Sequence, residues 1–139
     1  MRAVFDTNVL VAAFAADGLC AKLLRRANRR DFTLLVCPVI LGELERALRK
    51  KLGASDDEVA ASLALVREVS TTVEDAPSAP VPGPRRSRIA RDPDDDLILR
   101  CAEAARAEVL VTGDGDLLVL GKHGRVKIID PRRFELLFR

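Results

Sequence analysis

The sequence has no tryptophan, no tyrosine and a single histidine, so its apolar content comes mostly from Ala, Leu and Val, a composition suited to packed helices and buried strands. No apolar run approaches the roughly 18 residues that would mark a membrane-spanning helix. The opening MRAVFDTNVL is not patterned as a signal peptide, because Asp6 interrupts its apolar stretch. Together these absences predict a globular cytoplasmic protein with no membrane association, and a length of 139 residues fits one domain over 1–139. Cysteine is scarce and odd in number. Cys20, Cys37 and Cys101 are widely spaced among apolar residues, which predicts buried free thiols rather than disulfides or a zinc site. A net charge of only +2 does not by itself announce a nucleic-acid binder.

Charge distribution says more than the total. At 100° per residue, Lys22, Arg25, Arg26, Arg29 and Arg30 fall on one side of a helix, with Leu23, Leu24 and Ala27 on the other. Further basic clusters are Arg46, Arg49, Lys50 and Lys51, then Arg85, Arg86, Arg88 and Arg91. A solvated helix face is the default reading of each, and contact with RNA phosphates, above all by Lys22, Arg25, Arg26 and Arg29, is the competing use.

Short apolar runs alternate with longer amphipathic segments, the pattern of an α/β fold in which helices flank a central, mainly parallel sheet of about five strands. The predicted strands are AVFD, FTLLVC, STTVE, EVLVT and VKIID. Helices are predicted at about 19–30, 39–52, 56–69, 94–107 and 115–120, with a last one from about 131. Ser55 followed by Glu58 makes a capping box, and Gly53 ends the preceding helix by adopting positive φ. The stretch from 76 to 91, rich in proline and arginine, is too long for a tight connection and reads as an irregular loop within the domain.

Ligands of open parallel sheets bind outside the carboxyl ends of the strands. Asp6 closes the first strand, Glu43 lies about one turn into the helix after FTLLVC, Asp114 follows EVLVT, and DPDDD starts the helix after the long loop. Acids gathered there raise one another's pKa and carry a desolvation cost, which a divalent cation reverses. An all-oxygen cluster without His or Cys points to one or two Mg²⁺ or Mn²⁺ ions, and such a metal suits hydrolysis of a phosphodiester. Each acid also has a plainer use. Asp6 can form an Asx turn, Glu43 can be an exposed helical acid near Arg46 or Lys50, and Asp92, Asp94 and Asp95 suit an N-cap and the positive end of a helix dipole. Helical phase does not select Asp96, since Asp94 projects closer to the apolar face, and spacing leaves the choice among the three open. In VTGDGDLL, Thr112 carries a hydroxyl toward the site while Asp114 and Asp116 compete as ligands. His123, in LGKHGRV, reads as an exposed turn residue.

With these residues placed, the chain resembles the PIN-domain family, and within it the bacterial toxins of toxin–antitoxin systems of the VapC type. VFDTNVLVAAF, CPVILGELERAL, RDPDDDLILRCAEAA and EVLVTGDGDLLVL resemble the family's four motifs in order, over nearly the whole chain. The resemblance implies a three-layer α/β/α fold and a metal-dependent ribonuclease with Asp6, Glu43, Asp96 and Asp114 as catalytic and metal-holding carboxylates. It selects Asp96 because the family's acid directly precedes the apolar helical run. It also makes Asn8, Thr112 and Asp116 auxiliary residues, and implies a homodimer and a small antitoxin partner. Two competing classes are a non-catalytic module that binds RNA or protein on the same fold, and a metal-dependent phosphatase; FDTN lacks the second aspartate of one common phosphatase motif.

Overall fold

The apolar runs read as strands form one sheet in the computed structural model, which describes residues 1–74, 76 and 93–139. Strands β1 (Arg2–Phe5), β2 (Thr33–Val36), β3 (Ser70–Thr72), β4 (Val109–Val111) and β6 (Val126–Ile129) pair in parallel, and β5 (Lys122–His123) adds antiparallel to β6. The order is β3-β2-β1-β4-β6-β5. β4 is buried at every residue and β1 at all but Arg2, which explains why these strands read as continuous apolar runs rather than alternating ones.

Helices α1 (Thr7–Ala15) and α2 (Leu19–Asn28) connect β1 to β2, and α3 (Pro38–Leu52) and α4 (Asp56–Val69) connect β2 to β3. α5 (Pro93–Ala104) precedes β4, the single turn α6 (Gly115–Leu118) follows it, and α7 (Pro131–Leu136) comes after β6. α1 packs on α2 and α3, and α4 touches both α2 and α3. The expected α/β architecture is therefore present, with a mostly parallel sheet flanked by helices. The chain moves outward from β1 through β2 to β3, then returns to place β4 on the other side of β1. That reversal opens a crevice at the carboxyl ends of β1, β2 and β4.

The local caps follow the sequence. Glu58 N donates to Ser55 Oγ and Ser55 N to Glu58 Oε1, closing the capping box at α4, while Gly53 ends α3 at φ 63°. Two elements differ from expectation. α1 has no polar stripe: Thr7, Val9, Leu10 and Val11 are all buried, so TNVLVAAFA carries little 3.6-residue periodicity to read. His123 is not in a simple turn but in the two-residue strand β5, with Nε2 2.9 Å from Glu103 Oε2. Of the 76–91 loop only Ala76 is described, and it is buried; the rest, with the arginine cluster from Arg85 to Arg91 and the N-cap expected at Asp92, lies outside the described residues.

The cysteine expectation is corrected. Cys37 and Cys101 are fully buried and joined in a disulfide, with α-carbons 6.3 Å apart, and Cys20 is the free thiol. Their separation of 64 residues conceals the fact that the β2–α3 junction and α5 lie side by side. The C-terminal FELLF divides between core and surface. Phe134 stands edge-on to Phe5 and Phe32, with centroids 5.7 and 4.9 Å away, whereas Leu136 and Leu137 are more than half exposed. Among the described residues, no single helix is long and apolar enough to cross a membrane.

Candidate active site

The carboxyl ends of β1, β2 and β4 meet at a pocket of about 290 Å³. Asp6 reaches it directly from the end of β1, and its backbone N–H continues the sheet by donating to Val111 O. Glu43 comes from the second turn of α3, Asp94 and Asp95 from the first turn of α5, and Asp114 from the N-cap of α6. Three of the four predicted carboxylates, Asp6, Glu43 and Asp114, thus line one pocket despite their distance in sequence.

Asp96 does not join them. It is 2% exposed and accepts a hydrogen bond from Arg100 Nε at 2.9 Å, one helical turn on. Among the described acids of DPDDD, Asp94 and Asp95 line the pocket. Asp95 has the better claim to a ligand role, because oxygens of Asp95, Asp114 and Asp116 lie within 4.8 Å of one another. The helical turn explains the choice: Ile98, three residues after Asp95, also lines the pocket, whereas Asp96 is rotated about 100° away into the interior.

Hydroxyls and backbone amides aim the carboxylates. Thr112 Oγ1 donates to Asp6 Oδ2 at 2.7 Å in a fully buried contact, and itself accepts from Asp114 N at 3.0 Å. Asp114 Oδ1 accepts from Asp116 N at 2.9 Å, capping α6. Thr7 Oγ1 donates to Glu43 Oε2 at 2.8 Å. Burial pushes the Glu43 carboxyl above its ordinary pKa, and the negative charges of Asp94 and Asp6 push the same way, against the Thr7 hydrogen bond and the Arg46 charge. The donor set is all oxygen, with no His or Cys in the lining, and it fits a hard divalent cation held by carboxylates.

The auxiliary residues fall close by. Asn8 lines the pocket and accepts from Lys51 Nζ at 3.1 Å, Thr112 lies behind Asp6, and Asp116 beside Asp114. Thr7 is a site residue that sequence reasoning passed over; its signal was its place directly after Asp6. Lys51 belongs by sequence to a basic cluster, yet it stands eight residues after Glu43 and hence close to the same helix face.

The predicted RNA-contacting bases of α2 are engaged with acids of the protein itself. Arg26 holds the buried Glu135 with two hydrogen bonds of 2.8 and 2.6 Å and also meets Asp31, while Lys22 Nζ lies 3.1 Å from Glu135. Arg26 lowers the Glu135 pKa to about 2 and lies over the ring of Phe138. Arg25 pairs with Asp17 and Arg29 with Asp31, and both arginine side chains stay more than half exposed.

The geometry agrees with the family comparison. A model described as PIN domain matches residues 2–116, and the chain belongs to that family. PIN domains are generally nucleases that use divalent metals, so the protein has a nuclease-type fold and a candidate acidic metal site. Nothing among curated proteins matches the chain. The structure is similar to the crystal structure of PAE2754 from Pyrobaculum aerophilum, with a TM-score of 0.63 and 22% identity over 99% of this chain and 88% of that one, a likeness that shows a shared fold.

Proposed function

We propose that the protein is a Mg²⁺- or Mn²⁺-dependent endoribonuclease, with 1–139 as one domain, and that it is the toxin of a VapC-type toxin–antitoxin pair acting in the cytoplasm. The observation that carries this reading is the convergence of Asp6, Glu43, Asp95 and Asp114, from four separate parts of the chain, on one pocket at the reversal of the sheet. Asp95 takes the place that the family resemblance gave to Asp96. One or two divalent ions bound there would activate water and offset the charge that builds on the phosphate.

The chain's own groups have distinct tasks. Thr112 and Thr7 fix the carboxylates of Asp6 and Glu43, so that little reorganisation accompanies metal entry. Asp94 and Asp116 add negative charge beside the four and would be outer partners for solvent on such an ion. On α2, the exposed heads of Arg25 and Arg29 serve as outlying RNA contacts, because exposed ion pairs are weak enough to exchange for phosphate, while Lys22 presents its half-exposed head beside them and keeps its partner Glu135. Arg26 is given over to Glu135. A homodimer and a small antitoxin that covers the pocket complete the reading.

The test is to titrate Mn²⁺ and Mg²⁺ into the purified protein with a mixed RNA pool, beside a chelator control and the variants Asp6→Asn, Asp95→Asn and Asp114→Asn. Metal-dependent cleavage that each variant loses is expected. A wild-type protein that cuts no RNA under any metal condition would reject the nuclease reading and turn the search to a protein partner.

A further inference from the structure

The pocket holds one cation among its described lining residues, Lys51, at the end of α3. Glu43, Ala47 and Lys51 stand on successive turns of α3 and all line the pocket. Lys51 Cα is about 12 Å along the helix from Glu43 Cα, but helical side chains lean toward the N-terminus, which carries the lysine stem back over the acids. Its ammonium donates to Asn8 Oδ1 at 3.1 Å, a neutral acceptor in the first turn of α1. None of the ion pairs among the described residues includes Lys51. Its neighbour Arg49, by contrast, is bound to Asp56 and Glu45.

We infer that Lys51 is a phosphate-positioning residue, which exchanges the Asn8 amide for a non-bridging oxygen of an RNA phosphate entering the pocket. The inference rests on the ribonuclease reading and adds to it how an acidic pocket accepts an anionic substrate. A polyanion approaching Asp6, Glu43, Asp94, Asp95 and Asp114 is repelled, and cations bound among the acids are shared with those acids. Lys51 supplies a positive charge at the rim that none of the described carboxylates holds in an ion pair. The Asn8 amide keeps it in place at little cost to release, since a phosphate oxygen accepts the same hydrogen bond and adds an opposite charge that the neutral amide lacks. Tethering of α1 to α3 through the same hydrogen bond is the purely structural role it must be told from.

The experiment follows binding of a fluorescein-labelled single-stranded RNA 12-mer by anisotropy in Ca²⁺, across a salt series and with the RNA checked for integrity on a gel. Wild type, Lys51→Ala, Lys51→Arg and Asn8→Ala are compared. Lys51→Ala should weaken binding about fivefold, the effect of removing one exposed charge-assisted hydrogen bond. It should also make the slope of log affinity against log salt shallower by about 0.7, as expected when one fewer phosphate of a single strand is neutralised. Lys51→Arg should restore both, Asn8→Ala should leave the slope unchanged, and Mn²⁺ affinity of the RNA-free Lys51→Ala protein should equal or exceed that of wild type. Unchanged affinity and slope in Lys51→Ala, absence of RNA binding by wild type, or equal losses in Lys51→Ala and Asn8→Ala without a change of slope would each overturn the inference. Cleavage measured in parallel with Mn²⁺ reports on the nuclease reading separately: intact RNA there, with the slope change present, removes the catalytic reading and leaves Lys51 as a phosphate-binding residue.

Discussion

Substituting Asn for Asp96 and for Asp95 in separate proteins tests the proposed division of structural from catalytic carboxylates within one tripeptide. The Asp96 side chain is 3% exposed and pairs with Arg100 across one turn of α5, whereas Asp95 opens to the pocket. Removing one member of a fully buried pair costs about 3–5 kcal/mol. Arg100 keeps 26% exposure and recovers part of its hydration, which brings the pair down to about 2 kcal/mol. Losing a carboxylate from the first helical turn, where the dipole favours it, adds about 0.5 kcal/mol. Asp96→Asn should therefore lower the melting temperature by about 10 °C in a domain of this size. Below that temperature it should cut RNA within a few-fold of wild type.

Asp95→Asn should do the reverse. Neutralising one of several clustered acids relieves repulsion in the metal-free protein and so offsets the dipole interaction lost from the same first turn, and its melting temperature should fall by less than that of Asp96→Asn. The rise in melting temperature that Mn²⁺ gives wild type should largely vanish, and cleavage with it. Calorimetric melts with and without Mn²⁺, joined to cleavage assays 15 °C or more below the lowest transition (about the margin the expected shift requires), check both. An Asp96→Asn protein that melts with wild type but does not cut, beside an Asp95→Asn protein that cuts, would refute the assignment.

Glu135 gives a prediction on acid stability. Its pKa is held at about 2 by Arg26 first, with Lys22 assisting, so the charged pair stabilises the fold fully above the unfolded value near 4.5 and the contribution is lost as pH falls from there toward 2. Allowing for solvent on the Lys22 side, this is worth about 2 kcal/mol, and urea melts at pH 7 and pH 3 should show Glu135→Gln losing roughly half or more of its disadvantage at the lower pH. Reducing the Cys37–Cys101 bond should destabilise the protein by up to about 4 kcal/mol from the chain entropy of its long loop, measured as a shift of the urea midpoint with and without reductant. Native alkylation should modify Cys20 alone, and slowly, because burial raises its thiol pKa; mass spectrometry counts the adducts.

The fold was legible where burial imposes a pattern. Val109–Val111 and Ala3–Phe5 are apolar at every position because both faces of these central strands are covered, and the amphipathic α2, α3 and α4 declare themselves by one polar face. α1 escaped for the opposite reason, since two of its exposed positions are Ala12 and Ala15 and no charged face contrasts with its buried one. The disulfide escaped because spacing in sequence says nothing about which helix returns beside which strand end.

The acids show where the boundary of sequence reasoning falls. A carboxylate at a strand end has a position fixed by the sheet, so Asp6 and Asp114 were placed by reading strands alone. Glu43 needed only the phase of a helix with a clear apolar stripe, Ile40, Leu44 and Leu48. In DPDDD the phase is the whole question, and a shift of one residue turns a carboxylate by about 100° from the pocket to the interior. Leu97, Ile98 and Leu99 are all buried, so the apolar run gives no stripe from which that phase can be read. What fixes it is tertiary. Cys101 ties α5 to Cys37 at the β2–α3 junction and Ile98 packs at the pocket beside Asp95, so the same helical turn that hides Asp96 presents its neighbour to the candidate metal site.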